Sequence, residues 1–332
     1  MVKTPAVVRQ PSDVSTVSTG VRADQRPALV YLARLSDGSR RSMRQALDSV
    51  AARLSSGRCD AESLDWSALR YQHTAALRAA LIETVSKRTG KPLALASVNK
   101  TLAAVRGVLK ESWRLGYLSA EDYQHAADIP TVRGETMPRG RALSSGEVRA
   151  LFVACAADNS LAGTRDAAML ALLYGAGLRR SELVALDRED YNVEMGALTV
   201  RRGKGRKERM VYVANGSADA LAAWLSARGE NAGALFWPIT KAGRAIERRM
   251  TAHALMFVLR RRAEQAGVER FSPHDVRRTF ISDLLSAGAD IAVAQALAGH
   301  ANVSTTIRYD RRGEQAKQKA AALLHVPYQR AP

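Results

Sequence analysis

The chain has 332 residues, 46% of them hydrophobic and 25% charged, which excludes a disordered polymer and allows two or three domains with proper cores. A net charge of +18 points to a polyanionic partner, because clustered Lys and Arg gain by releasing condensed counterions; a basic but unspecialised protein is the plainer reading of charge alone. The surplus is spread evenly: residues 1–141 carry 22 Lys+Arg against 13 Asp+Glu and residues 142–332 carry 28 against 19, nine in each part.

Residues 1–25 are rich in Ser, Thr and Val without helical or strand period, and have no apolar signal-peptide core, so they read as a flexible tail. From 26 to 128 the pattern is helical and predicts a four- or five-helix domain. In "SVNKTLAAVRGVLKESWRLG", Val98, Leu102, Val105, Leu109 and Trp113 recur on one face, with Ser97 placed to cap the start and Gly116 the end. "SRRSMRQALDSVAARL" and "SALRYQHTAALRAALIETVSKR" repeat this logic. The prolines, glycines and arginines of "IPTVRGETMPRGRAL" then make residues 129–143 a linker.

The second domain, 144–332, opens on Ser144 and Glu147 in capping-box spacing. Helices are expected at about 145–157, 164–175 and 179–186. The apolar run "AAMLALLYGAGL" is too short to cross a bilayer and reads as a buried helix. Two short strands, "ALTV" and "MVYV", flank "RRGKGRKER"; helices follow at about 217–228, 250–266, 274–287, 290–298 and 313–324. The fold class is therefore mainly α, with one small antiparallel sheet. Cys59 and Cys155 are too far apart in sequence for a disulfide framework or a Cys-x-x-Cys metal site, which fits a reducing cytosol.

Four stretches carry chemistry. Six of the nine residues 201–209 are basic (Arg201, Arg202, Lys204, Arg206, Lys207 and Arg209), and Gly203 and Gly205 allow a tight turn that projects Lys204; a solvated hairpin is the equal alternative. In "YGAGLRRSELVAL", Arg179 opens a helix after a Gly-x-Gly-Leu bend, where its guanidinium can fork onto a phosphate with Glu182 bracing it; an ordinary i,i+3 pair would look the same. In "SPHDVRRTF", His274 and Arg277 share a helix face, one able to move a proton and the other to hold an anion. In "ALAGHANVSTTIRYD", His300 follows a glycine and Tyr309 comes nine residues later in a setting too cationic for a core phenol.

Taken together, "GLRRSEL", "GKGRKER", "HDVRRTF" and "AGH…STTIRYD" resemble the tyrosine site-specific recombinases, the phage-integrase family, in order and register over residues 144–312. The helical segment before them is similar in size and character to that family's core-binding, SAM-like domain. The resemblance implies that Tyr309 is a nucleophile forming a 3′-phosphotyrosine on DNA. It further implies that Arg179 and Arg277 clamp the phosphate, Lys204 protonates the leaving 5′-oxygen, and His274 takes the tyrosine proton. His300 would hydrogen-bond the phosphate and Glu182 support Arg179. Arg201, Arg202, Arg206, Lys207, Arg209 and Arg278 are expected to contact DNA. Neither metal nor cofactor is implied, since the phosphotyrosine conserves the broken bond.

The implied partners are a double-stranded recombination site, a tetramer of this chain on DNA exchanging its last helix, and as a further candidate an accessory protein or second recombinase. The setting is cytoplasmic and nucleoid-associated, with no membrane. Two positions depart from the family pattern: Arg278 stands where many members carry histidine, and Ala298 where leucine is common. The rivals are a type IB topoisomerase and a non-catalytic DNA-binding accessory protein. The tryptophans, and the histidines outside the motifs, read as packing residues or surface groups.

Overall fold

The computed structural model describes residues 22–86, 89–134, 140–201, 208–310 and 321. The expected tail up to residue 21, the turn carrying Arg202, Lys204, Arg206 and Lys207, and the expected helix 313–324 apart from Ala321 lie outside them. The chain divides into two compact units, Met1–Met137 and Pro138–Pro332.

The first unit contains α1 (Pro27–Ala33), α2 (Asp37–Leu54), α3 (Tyr71–Glu83), α4 (Leu95–Arg114) and α5 (Ala120–Ala127). Helix α4 is its centre. Val98, Leu102, Val105 and Leu109 are all buried, as their three-and-four spacing requires, and pack with Leu47 and Val50 of α2 and Leu32 of α1. Each such side chain contributes about 1.5–3 kcal/mol by leaving water. Trp113, placed on the same stripe, is instead 40% exposed, because α5 covers it from one side only: its ring stacks on Tyr123 at 5.3 Å. Gly116 takes a left-handed φ of +80° just past the helix, where glycine carries no Cβ penalty. The start differs from expectation. Ala94 is the cap and Ser97 lies inside the first turn, because the extended backbone of Ala94 already accepts the Val98 amide.

The second unit contains α6 (Ser145–Ala156), α7 (Leu161–Gly175), α8 (Arg180–Ala185), β1 (Tyr191–Asn192), β2 (Ala197–Val200), β3 (Arg209–Tyr212), α9 (Gly216–Arg228), α10 (Ala252–Gln265), α11 (Pro273–Ser286), α12 (Ile291–Ala298) and α13 (Val303–Ile307). Ser144 and Glu147 form the expected capping box. Helix α7 begins three residues earlier than its apolar run suggests, because Ser160 caps the Ala162 amide. It is buried along most of its length and sits in the core against Leu221 and Trp224 of α9. The sheet is antiparallel in the order β1-β2-β3, with Leu198 opposite Val211 and Val200 opposite Arg209. Strand β1 and helix α13 had no sequence expectation; both are too short to show a period. No helix among the described residues is long and apolar enough to cross a membrane.

One charge cluster holds α7 to α10. Asp166 is fully buried and accepts from Arg165 Nη2 at 2.7 Å, Arg262 Nε at 2.8 Å and Arg261 Nη2 at 2.8 Å. Arg262, also fully buried, reaches Asp158 at 2.6 Å. Removing one member of such a set strands the others without counter-charge in a medium that solvates them poorly. Asp166→Asn is therefore expected to destabilise the fold by about 3–5 kcal/mol in urea unfolding, although residue 166 is remote from every motif above.

Candidate active site

The bend before α8 depends on Gly177. Its φ is +60°, and a Cβ there would run into the ring of Phe280. The bend brings Arg179 to the cap position of α8 and Glu182 into the first turn. Glu182 Oε2 accepts the Arg179 amide at 2.9 Å, while Oε1 accepts Arg179 Nη1 at 2.7 Å. From the start of β3, Arg209 forks onto the same carboxylate, Nη1 to Oε1 at 2.9 Å and Nη2 to Oε2 at 2.7 Å. Glu182 is 3% exposed, and burial alone would raise its pKa. The bonds from Arg209 and from the Arg179 amide outweigh burial and bring it down to about 2.

Helix α11 opens with the reciprocal Ser272–Asp275 box and presents His274 and Arg277 one turn apart. Arg277 is 3% exposed and donates to the carbonyls of Gly177 and Ala298. Burial, then the nearby Arg179, lowers its pKa to about 9, so it remains a cation at neutral pH. Helix α12 ends on Gly299 at φ +62°, which leaves its last carbonyls pointing at these arginines. Arg209 Nε donates to Leu297 O at 3.1 Å, Arg277 Nη2 to Ala298 O, and Arg179 Nη2 to Gly299 O at 2.6 Å. Three consecutive carbonyls thus anchor three guanidiniums, and the negative end of the helix favours them.

His300 follows directly, with Nδ1 2.9 Å from Thr306 Oγ1. Helix α13, capped by Asn302, returns the chain so that Tyr309 packs on the same cluster, and Ser282 Oγ donates to its carbonyl at 3.0 Å. Tyr309 Oη lies 3.2 Å from His274 Nε2, and its ring centre is 6.2 Å from that of His300. Burial and the surrounding arginines push His274 below the ordinary histidine value and His300 to about 4, so both are neutral at pH 7. Arg179, His274 and Arg277 line an open cleft of about 420 Å³.

The structure thus brings together Arg179, Glu182, His274, Arg277, His300 and Tyr309. Lys204, like Arg202, Arg206 and Lys207, lies outside the described residues. Arg201 is half exposed, with Nε 2.6 Å from Asp190 Oδ1.

Arg209 and Arg278, two of the expected DNA contacts, have partners within the protein. The Arg209 side chain is turned inward onto Glu182 and Leu297, and the 9%-exposed Arg278 donates Nη1 to Gly140 O at 2.8 Å with its guanidinium 5.3 Å from the centre of the Tyr309 ring. For Arg209 the signal lay in the alternation of the strand, which sets it on the same side as the buried Val211. Trp66, Trp224 and Trp237 are buried, and His73 accepts the Arg70 amide at the start of α3.

The depressed pKa of Glu182 stabilises the fold above the usual carboxylate range, and that stability is lost as pH falls from 4.5 towards about 2. Glu182→Gln should cost about 3–5 kcal/mol at pH 7 by leaving Arg209 and Arg179 without their counter-charge, and the deficit against wild type should shrink as pH falls through that window in a denaturation series.

Residues 141–315, just over half the chain, match the phage integrase family. The tyrosine recombinase XerD of Pseudomonas aeruginosa is 34% identical over 238 residues, covering 70% of this chain and 76% of XerD. XerA of Thermococcus kodakarensis is 37% identical over 147 residues, 44% of this chain and about half (51%) of XerA. In fold, the chain is similar to the Tn1549 transposon integrase solved in complex with transposon right-end DNA, with a TM-score of 0.64 at 15% identity over 90% of this chain and 99% of that one. With its tyrosine, histidines and arginines gathered at the end of α12, the chain belongs to the phage integrase family and is a tyrosine recombinase, an enzyme that cleaves and rejoins DNA.

Proposed function

We propose that Tyr309 is the nucleophile of a site-specific strand exchange, and that the contact between its hydroxyl and His274 carries this reading. A phenol is a weak nucleophile at neutral pH unless a base accepts its proton as the bond to phosphorus forms. Neutral His274 takes that proton on Nε2. As Tyr309 Oη bonds to phosphorus, the bond to the 5′-oxygen breaks, and Lys204 supplies the proton that oxygen needs. Arg179 and Arg277 hold the non-bridging oxygens. Each has five N–H donors and uses two on the anchors described, so charge gained in the phosphorane meets dipoles that need not move. His300 adds a hydrogen bond to the same phosphate, and Glu182 keeps Arg179 in place. Attack by a free 5′-hydroxyl on the phosphotyrosine reverses every step and rejoins the strands.

The chain's even positive charge supports a clamp in which the helical domain 26–128 and the catalytic domain 144–332 grip one duplex across the 129–143 linker, mostly through phosphates. The alanine-rich stretch 313–324, with an apolar stripe through Ala316 and Ala320, supports exchange of a terminal helix between protomers of a tetramer on two duplexes. The reaction would integrate, excise or resolve a mobile element or replicon on cytoplasmic, nucleoid-associated DNA.

Protein recovered from cells under denaturing conditions should carry covalently attached DNA as wild type and none as Tyr309→Phe, and sequencing should give one shared end. Scattered ends would indicate a topoisomerase, and adducts in both proteins would mean another nucleophile. Because His274 titrates below 6.5, adduct formation on the recovered site should hold from neutral pH down past that value and fall only below it. His274→Gln should be slow by on the order of 10²–10⁴-fold and lack that acid limb.

A further inference from the structure

Arg278 has no place in the chemistry above, yet it touches both the reacting side chain and the first described residues of the catalytic unit. Its guanidinium lies 5.3 Å from the centre of the Tyr309 ring, a distance at which a cation is held by the negative face of the ring. Its Nη1 donates to Gly140 O at 2.8 Å.

Gly140 begins a short stretch that runs along α11. The Arg141 amide donates to Asp275 Oδ1 at 3.0 Å and the Leu143 amide to Thr279 Oγ1 at 2.8 Å, while the Arg141 guanidinium donates to Glu147 and to Glu269 O. Gly140 itself, at φ +88°, sits so close to Asp275 that a Cβ would collide with the carboxylate. Residues 140–143 are thus locked to the helix that carries His274 and Arg277, three residues after the boundary between the two units.

The geometry points to Arg278 as a positioning residue that ties this leading stretch to the ring of Tyr309, so that the attitude of the phenol depends on how the chain enters the catalytic unit. The inference rests on Tyr309 being the nucleophile. Ser282 and Thr306 fix the Tyr309 backbone, His274 meets its hydroxyl, and the ring packs on the Phe280–Ala298 cluster with His300 at 6.2 Å; Arg278 adds a cation facing the ring. A guanidinium is suited to this contact because its plane can cover a ring while an edge N–H reaches a carbonyl; a lysine ammonium can do one or the other. A displacement of about 1 Å at a reacting atom can cost on the order of 10²-fold in rate, so a contact of this kind is enough to govern cleavage.

Two readouts separate this inference from the assignment of the nucleophile. The first needs no DNA: 3-fluorotyrosine placed at position 309 alone and followed by fluorine NMR. In the otherwise native protein one narrow resonance is expected. Arg278→Met should shift and broaden it while thermal unfolding stays cooperative, and Arg278→Lys, which keeps the cation but not the fork, should fall between. The second readout is single-turnover adduct formation on the duplex recovered with wild-type protein. Arg278→Met should slow it by roughly tenfold or more with unchanged duplex affinity, and Arg278→Lys should recover part of the loss.

An unchanged fluorine resonance in a folded Arg278→Met protein would overturn the inference, as would an adduct rate equal to wild type. If Arg278→Met does not fold, Arg278→Lys decides alone, and a native resonance with a native rate would refute the role. Should Tyr309 prove not to be the nucleophile, the resonance would still report the contact while the adduct rates would not respond.

Discussion

The catalytic unit is organised around the C-terminal end of α12, where three backbone carbonyls in succession each receive a different arginine. Arg179 comes from the start of α8, Arg209 from β3 and Arg277 from α11, so three elements are joined at the end of α12. The arrangement has an electrostatic reason. Three guanidiniums close together repel, and Arg277 is almost fully out of water. The unpaired carbonyls and the negative end of the helix dipole offset part of that repulsion, and the buried carboxylate of Glu182, shared between Arg179 and Arg209, offsets more.

This frame is prepared to meet an anion rather than having to form around one. Arg179 and Arg277 are held at their backs by carbonyls or a carboxylate and line the cleft in front. A phosphate entering the cleft would find donors already oriented, and the entropy of ordering long side chains has been met in folding. Burial, and after it the neighbouring arginines, lower the pKa of His274 and His300, so both are neutral beside these cations. On the proposed reading the arginines would meet the phosphate and a neutral imidazole would accept the proton.

Glycine decides whether these parts fit. Gly177 lets the chain pass the ring of Phe280 and turns its carbonyl to Arg277, and Gly299 ends α12 in a left-handed residue whose carbonyl receives Arg179. Both stand inside the motifs that looked like chemistry, and both serve backbone geometry.

Local pattern was enough for much of this protein. The three-and-four spacing of Val98, Leu102, Val105 and Leu109 gives a helix with a buried face wherever it is placed, and the Ser144–Glu147 and Ser272–Asp275 boxes close their helix starts with groups three residues apart. The motif residues were legible because their types and order are a property of the chain. What only the tertiary structure decided is which charge meets which. Arg209 and Arg278 read as two more cations among many, since composition does not say which way a side chain points; packing turned one onto Glu182 and the other onto Gly140 and Tyr309. The union of Asp166 with Arg262 across 96 positions was equally invisible, because a pair so separated leaves no period and no spacing to read. Period and capping act within a few residues, whereas a buried charge takes whatever partner the completed fold sets beside it.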